Sequence, residues 1–316
     1  MRYVVTGSHG LIGSSLVASL EADGHEVLRL VRSPDPTPGP SSPPSPAAGA
    51  AAAATTAPWD PLAGRLDPGV LVGVDGVVHL AGAGIADKRW NPARKREIRD
   101  SRVLGTRTIV DAMRKADSPP AVLVSGSAIG FYGDRGDEEL DETTPRGGGF
   151  LARVCEEWEA EARRADEIGV RVVTARTGIV QSPAGGALGR QLPLFRVGAG
   201  GRLGSGNQWQ SWITLEDEVA ALRFALESDQ LDGPVNLTAP HPVTNADYTK
   251  ALAKVLGRPA LFAVPKVALD LALGAELVGE ALLASQRVLP RRLETAGFAF
   301  ASPELAPALA VLLGRT

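Results

Sequence analysis

The chain is poor in the residues that build disulfides and metal sites. One cysteine, Cys155, and four histidines stand among 316 residues. A single thiol excludes an internal disulfide and fits a reducing compartment. His9, His25, His79 and His241 are scattered, and no Cys/His cluster has the spacing of a zinc site. Lysine is missing from the whole stretch between Lys115 and Lys250, and the only tyrosines are Tyr3, Tyr132 and Tyr248. No charge-free apolar run reaches membrane-spanning length, because the stretch 267–283 is interrupted by Asp270, Glu276 and Glu280. The formal charge is −3, so no general excess of positive charge asks for nucleic acid or anionic lipid. The opening MRYVVTGSHG is a strand and a turn rather than a leader peptide. These absences predict a cytoplasmic protein with neither a membrane nor a nucleic-acid partner.

What is present is a doubly wound α/β pattern. Tyr3-Val4-Val5 is a short strand, followed by a glycine-rich turn (6–13). A helical stretch comes next, with Leu16, Val17 and Leu20 on one face, and then a second strand, 26–31. Residues 34–58 interrupt the pattern: this Pro/Ala-rich run cannot bury enough apolar surface to offset its ordering entropy, which predicts a mobile surface insertion. Further strands are predicted over 76–82, 121–125, 170–174 and 235–237. Helices are predicted from the basic stretch at 88 to about 115, and over 150–168, 215–226, 245–256 and roughly 265–285. Glu159 and Arg163 form an i,i+4 pair in the helix over 150–168. We place a dinucleotide-binding domain over 1–180. Residues 181–316 form mainly a substrate-side cap, with segments around 213–237 returning to the core.

The strongest motif is Gly7-x-x-Gly10-x-x-Gly13, flanked by Thr6, Leu11 and Ile12, between the first strand and the first helix. Glycines there let the backbone approach a pyrophosphate, and the helix N-terminus supplies oriented N–H donors. The second strand ends Arg32-Ser33 with no carboxylate, where an acid would accept the ribose 2′-hydroxyl of NAD. A guanidinium and a hydroxyl suit the 2′-phosphate of NADP. The bland alternative is a solvated strand-end charge, and nearby Asp35 is the one acid able to invert the choice.

These pieces resemble a known family. TGSHGLIG (6–13), WDP (59–61), VVHLAGAGI (77–85), RW…KREI…SRVLGTR (89–107), SGSAIGFYGDRGDE (125–138), RTGIV (176–180) and GSGNQWQSWITLED (204–217) look like an extended, atypical short-chain dehydrogenase/reductase. More narrowly they resemble the NAD(P)-dependent epimerase/dehydratase family, in its cell-division-inhibitor-like group with a C-terminal cap. The resemblance implies a Rossmann sheet with a smaller α/β cap. It implies cofactor contacts from Leu80, Ala81, Gly82, Ser125, Arg176 and Gly178. Ser127 matches the catalytic-type serine. Arg89 and Trp90 fall at the pocket mouth, and Trp209 and Trp212 lie in a substrate-contacting segment. A homodimer through helices near 95–115 and 150–167 is also compatible with it.

The resemblance breaks at the proton relay. The family's mechanism uses a Tyr phenolate whose pKa is lowered by a Lys four residues on. Here the Tyr slot holds Phe150 or Leu151 and the Lys slot Val154 or Cys155. The helix Asn of relatives matches Arg102. Tyr132, near Ser127, becomes the sole phenol for acid/base work, against the alternative of loop packing; Cys155, on an apolar helix face, reads as a packing residue. Where nucleotide-sugar enzymes carry a diphosphate-clamping Arg, this chain has about Gln210, which cannot pair bidentately with phosphate. The basic stretch 88–107 reads as a solvated helix whose counterpart is the acidic run 134–142. The expectation is an NADP(H)-binding oxidoreductase or epimerase acting on a small molecule, or a non-catalytic NADP(H)-binding sensor.

Overall fold

The computed structural model describes residues 1–32 and 56–315. From the N-terminus run β1 (Arg2–Thr6), α1 (Leu11–Ala22), β2 (Glu26–Arg32), β3 (Thr56–Trp59), β4 (Gly76–His79), α2 (Pro92–Lys115) and β5 (Val122–Ala128). There follow β6 (Glu139–Leu140), α3 (Phe150–Arg163), β7 (Arg171–Thr177), β8 (Ile179–Ser182), α4 (Gly186–Arg196), β9 (Gly201–Leu203), β10 (Trp209–Gln210) and β11 (Trp212–Thr214). The last part comprises α5 (Leu215–Glu227), β12 (Gly233–Leu237), β13 (Val243–Thr244), α6 (Asn245–Leu256), β14 (Phe262–Val264), α7 (Lys266–Leu273), α8 (Ala275–Leu277), β15 (Arg287–Val288), α9 (Arg291–Thr295) and α10 (Leu305–Leu312).

Seven parallel strands form the central sheet in the order β12-β7-β5-β4-β1-β2-β3. Strand alternation sends Val4, Val77, Leu123 and Val172 to one face, where they meet Ile109, Val110 and Met113 of α2 and Ala162 of α3. Val5, Val78, Val124 and Val173 point the other way, onto Leu16, Val17 and Leu20 of α1 and Leu222 of α5. A sheet covered on both faces needs apolar residues at every position, which is why its strands read as unbroken Val/Leu runs. The chain leaves β1 toward β2 and β3 and later re-enters at β4 on the other side. The strand order therefore reverses between β1 and β4, where a crevice opens at the carboxyl ends.

A second cluster, Leu188, Leu192, Phe195, Trp212, Tyr248, Leu252, Leu305 and Leu309, packs α4, α6 and α10 together. Trp212 lies in this core with 1% of its surface exposed and its Nε1 donating to the His241 carbonyl. It walls no substrate space.

The local expectations need several corrections. Residues 34–55 lie outside the described residues, but 56–58 belong to β3, where Leu30 pairs with Ala57 and Val31 with Pro58. Small residues and a proline hid this strand, and an edge position tolerates both. The third helix ends at Arg163, with a 3₁₀ turn over Asp166–Ile168. The 265–285 stretch is not one helix: it breaks at Gly274 (φ 97°) into α7, α8 and a π-turn over Val278–Leu282. Among the described residues, no helix is long and apolar enough to cross a membrane.

Candidate functional site

The site begins at the turn between β1 and α1. Gly7 has φ 69°, and a Cβ on it would stand 2.9 Å from the Leu80 carbonyl carbon. A Cβ on Gly13 would come 2.2 Å from the Gly7 oxygen. No side chain fits at either position, so β1, β4 and the start of α1 close on one another. Gly10 caps α1 without a side-chain hydrogen bond, and the first turn holds no acid. The N–H groups of Leu11 and Ile12 thus open the helix with no side-chain cap.

Thr6 is buried beneath this turn and acts through its neighbours. Its hydroxyl oxygen accepts the Leu80 and Ala81 N–H groups at 3.1 Å, and its proton points at Nδ1 of His79 at 2.7 Å. His79 is fully buried, and desolvation lowers its pKa to about 4. Leu80, Ala81 and Gly82 follow at the strand end, partly open to the cleft.

Arg32 ends β2 opposite Trp59, exposed, and has no carboxylate in ion-pair range among the described residues. Ser33 lies outside the described residues. The loop 82–87 after β4 is held by side chains of and just before α2. The Ser101 hydroxyl accepts the Ala83 N–H at 3.0 Å, Arg102 donates to the Ala83 carbonyl at 2.9 Å, Arg94 donates to the Gly84 carbonyl, and Trp90 Nε1 donates to the Ile85 carbonyl at 2.8 Å. Trp90 also stacks edge-on against Phe150, with centroids 5.2 Å apart. The sequence thus placed Trp90 at the mouth of the cleft by resemblance, and the structure shows it working as a brace. Arg89 caps α7, donating to the Asp270 and Leu271 carbonyls at 3.4 and 3.3 Å.

At the end of β5 the side chains converge on a buried ion pair. Arg176 meets Glu159 through two bonds of 2.8 and 2.9 Å, with side-chain exposures of 3% and 0%. Ser127 donates to the same Glu159 oxygen at 2.7 Å. Arg176 Nη1 donates to the Tyr132 hydroxyl at 3.0 Å, and that hydroxyl donates to Asn236 Oδ1 at 2.7 Å. The Arg176 guanidinium also lies 3.5 Å from the centroid of Phe131.

This network shows where several of the expected site residues lie. Tyr132 is fully buried, and burial pushes its phenol up to about 12 despite the Arg176 cation beside it. Both hydrogen-bonding roles of its hydroxyl are taken inside the protein. Arg176 likewise directs Nε and Nη2 to Glu159 and Nη1 to Tyr132. Ser125 is wholly enclosed in mid-strand, paired with His79 and Thr174. Gly178 packs closely: a Cβ would meet the Ser211 oxygen at 2.8 Å. Glu159 pairs with Arg176, not Arg163. The sequence signal for it was its place on the buried stripe Cys155–Trp158–Ala162, where a charge needs a partner.

The helix that should carry the Tyr and Lys starts differently. The N–H groups of Phe150 and Leu151 donate to the two carboxylate oxygens of Glu280, each at 2.8 Å, so a residue of the C-terminal part caps α3. Nothing local in the sequence announces a cap 130 positions away. Leu151 rests beside Gly130, and Cys155 is buried, its thiol pushed up to about 11 by desolvation. Trp209 sits at the rim, with Nε1 donating to Asp137 at 2.9 Å and Arg287 4.5 Å from its ring centroid. The basic face of α2 is neutralised chiefly by α3 and near neighbours: Arg99 by Glu157 and Asp100, Arg107 by Glu161, Arg94 by Glu97 and Lys95 by Glu276. The acidic run 134–142 is therefore not its counterpart.

A doubly wound parallel sheet whose first strand turns through close-packed glycines onto an uncapped helix defines a Rossmann-type protein. The chain belongs to the NAD dependent epimerase/dehydratase family, whose model matches residues 3–237. Residues 264–312 match a domain of unknown function, DUF1731. An epimerase family protein of Mycobacterium bovis is 47% identical over 296 residues, covering 94% of this chain and 92% of that protein. The crystal structure of human epimerase family protein SDR39U1 (isoform 2) with NADPH superposes with a TM-score of 0.87 at 32% identity, covering 100% of both chains. A nucleoside-diphosphate sugar epimerase from Corynebacterium glutamicum gives 0.77 at 36% identity, covering 99% of this chain and 58% of that one.

Proposed function

We propose that this protein binds NADP(H) and is an oxidoreductase or epimerase of the extended short-chain type, acting on a small molecule without a Tyr/Lys pair. The observation that carries the reading is the pairing of an open helix N-terminus behind Gly7, Gly10 and Gly13 with an exposed Arg32 that makes no ion pair among the described residues, Glu97 of α2 being the carboxylate that feels its charge. The backbone of 10–13 would hold the pyrophosphate, Arg32 with Ser33 the 2′-phosphate, and Leu80–Gly82 the adenine-ribose side. The NADPH in the human relative's crystal supports the same choice. When bound, the cofactor supplies or accepts a hydride.

On the substrate side, Ile85, Trp90 and Leu151 form a partly exposed apolar cluster with Phe150 and Val154. Ser127 is the hydroxyl at the end of β5, oriented by Glu159. The buried free thiol of Cys155 fits a reducing, cytoplasmic setting. Turnover is tested by following nicotinamide absorbance against sugars, carbonyl compounds and lipids, with isotope washout for an epimerase. Substrate-dependent change supports the reading.

A second reading, an NADP(H) sensor without turnover, is favoured by one observation: the only nearby phenol, Tyr132, is sequestered. Tight cofactor binding with no reaction across the same panel would select it.

A further inference from the structure

We propose that the guanidinium of Arg102 is a fixed, uncompensated positive charge under the cleft, and that it biases the bound dinucleotide toward its reduced form. This rests on the NADP(H) reading above.

Arg102 is the half-buried cation of α2 without an ion pair; Arg96 and Lys115, also unpaired among the described residues, are exposed. Arg94, Lys95, Arg99, Arg107 and Arg114 of α2 each reach a carboxylate. Arg102 reaches none among the described residues. Its Nη1 donates to the carbonyls of Ala83 and Ile98 at 2.9 and 3.0 Å, and these two dipoles are its polar partners there. A guanidinium carries five N–H donors, so the Nε and Nη2 side has no protein acceptor among the described residues. Arg102 is half-buried, so its remaining N–H groups stay open to solvent or to a ligand. The like charge of Arg94 adds to the positive field.

Its place in the fold says what it faces. The guanidinium carbon lies 3.2 Å from where a Cβ on Gly82 would stand, so the group is pressed against the strand-end turn. Leu80 and Ala81 of that turn touch Gly7 of the glycine loop. On its other side Arg102 lies 5.2 Å from the centroid of Trp158, whose ring is packed on Gly126, next to Ser127. Arg102 thus sits between the pyrophosphate cradle and the end of β5. A dinucleotide laid across the strand ends passes from its pyrophosphate to its nicotinamide half over this interval. The oxidised nicotinamide ring carries a positive charge and the reduced ring is neutral. A nearby cation raises the free energy of the oxidised form alone.

The test is calorimetric titration of the full-length protein with NADPH and with NADP⁺. The wild type is expected to bind NADPH about tenfold or more tightly than NADP⁺, as a like-charge contact implies. Arg102→Gln, checked for its thermal midpoint, is expected to bring the two constants within about threefold, and Arg102→Lys to restore the gap, because it keeps the charge. Arg32→Glu serves as control: it weakens both nucleotides while leaving their ratio unchanged. A ratio that Arg102→Gln does not alter, or a wild type that binds NADP⁺ as tightly as NADPH, overturns the inference and leaves cofactor binding standing. Absence of binding by both nucleotides overturns the cofactor reading itself.

Discussion

The Thr6 hydroxyl lies 2.7 Å from Nδ1 of His79, and its oxygen takes the N–H groups of Leu80 and Ala81. With its lone pairs turned to two backbone donors, the hydroxyl gives its proton to Nδ1. That fixes the imidazole as the Nε2–H tautomer and keeps it neutral. One side chain thereby holds the glycine turn of β1 against the strand end of β4. Thr6→Val is expected to destabilise the fold by about 1–3 kcal/mol, the range for leaving buried polar groups unmatched. It should also weaken NADPH binding without any direct contact having been removed. Chemical denaturation beside a cofactor titration checks this. Wild-type values in both would show that the Thr6 hydroxyl contributes nothing.

Glu218 predicts a pH dependence of stability. It is fully buried, Thr177 donates to one of its oxygens at 2.8 Å, and desolvation raises its pKa to about 8. The unfolded chain releases this proton near pH 4.5, while the native protein keeps it to about pH 8. The resulting stability is complete below the lower value and is lost as pH rises through the upper one. His79 acts with the opposite sign and only between about pH 4 and pH 6.5. Between pH 6.5 and pH 8 the wild-type thermal midpoint should therefore fall, and Glu218→Gln should flatten the slope. Equal slopes for the two proteins would contradict this assignment.

The network around Arg176 separates structural from chemical roles. Glu159→Gln leaves a buried guanidinium half-compensated and should cost about 3–5 kcal/mol. Tyr132→Phe removes one hydroxyl and should cost about 1–2 kcal/mol, with cofactor affinity unchanged. Once a substrate is in hand, Tyr132→Phe should also keep most of the turnover. A loss of several orders of magnitude in kcat, with the fold intact, would return Tyr132 to the chemistry.

The insertion can be shortened, but only up to the edge strand. Residues 36–54 contain almost no bulky apolar side chain. Deleting 40–47, which still leaves fifteen residues for the parallel crossover from β2 to β3, should shift the thermal midpoint by less than about 2 °C, a shift worth under a kcal/mol in a chain of this size. Extending the deletion to Ala57 removes a residue that is 7% exposed and paired with Leu30, and should lower the midpoint further. Identical midpoints for the two deletions would show that β3 adds nothing.

The strands and the glycine turn were legible because both are local. A strand buried on both faces must be apolar throughout, and a turn that admits no Cβ must be glycine. What the sequence hid depends on partners far along the chain. Tyr132 looked available because it follows Ser127 closely, yet the 3₁₀ turn over Ile129–Tyr132 carries its ring inward to Asn236, 104 positions away. Residue type did not reveal that Trp212 faces the core of α4, α6 and α10 while Trp209 stays at the rim. Glu280 reaches α3 from a segment whose helix breaks at Gly274, a break that periodicity alone did not show. Strand β3 escaped because an edge strand needs neither bulk nor every N–H.

The central claim is that Arg32 selects the phosphorylated dinucleotide. Calorimetry of the wild type and Arg32→Glu against NADPH and NADH tests it directly. Charge-assisted bonds to a phosphate are worth about 1.5–3 kcal/mol, so the wild type should prefer NADPH by roughly 10- to 100-fold and Arg32→Glu should abolish that preference. Equal losses for both nucleotides on substitution, or no heat from any nicotinamide nucleotide with the wild type, would contradict the account.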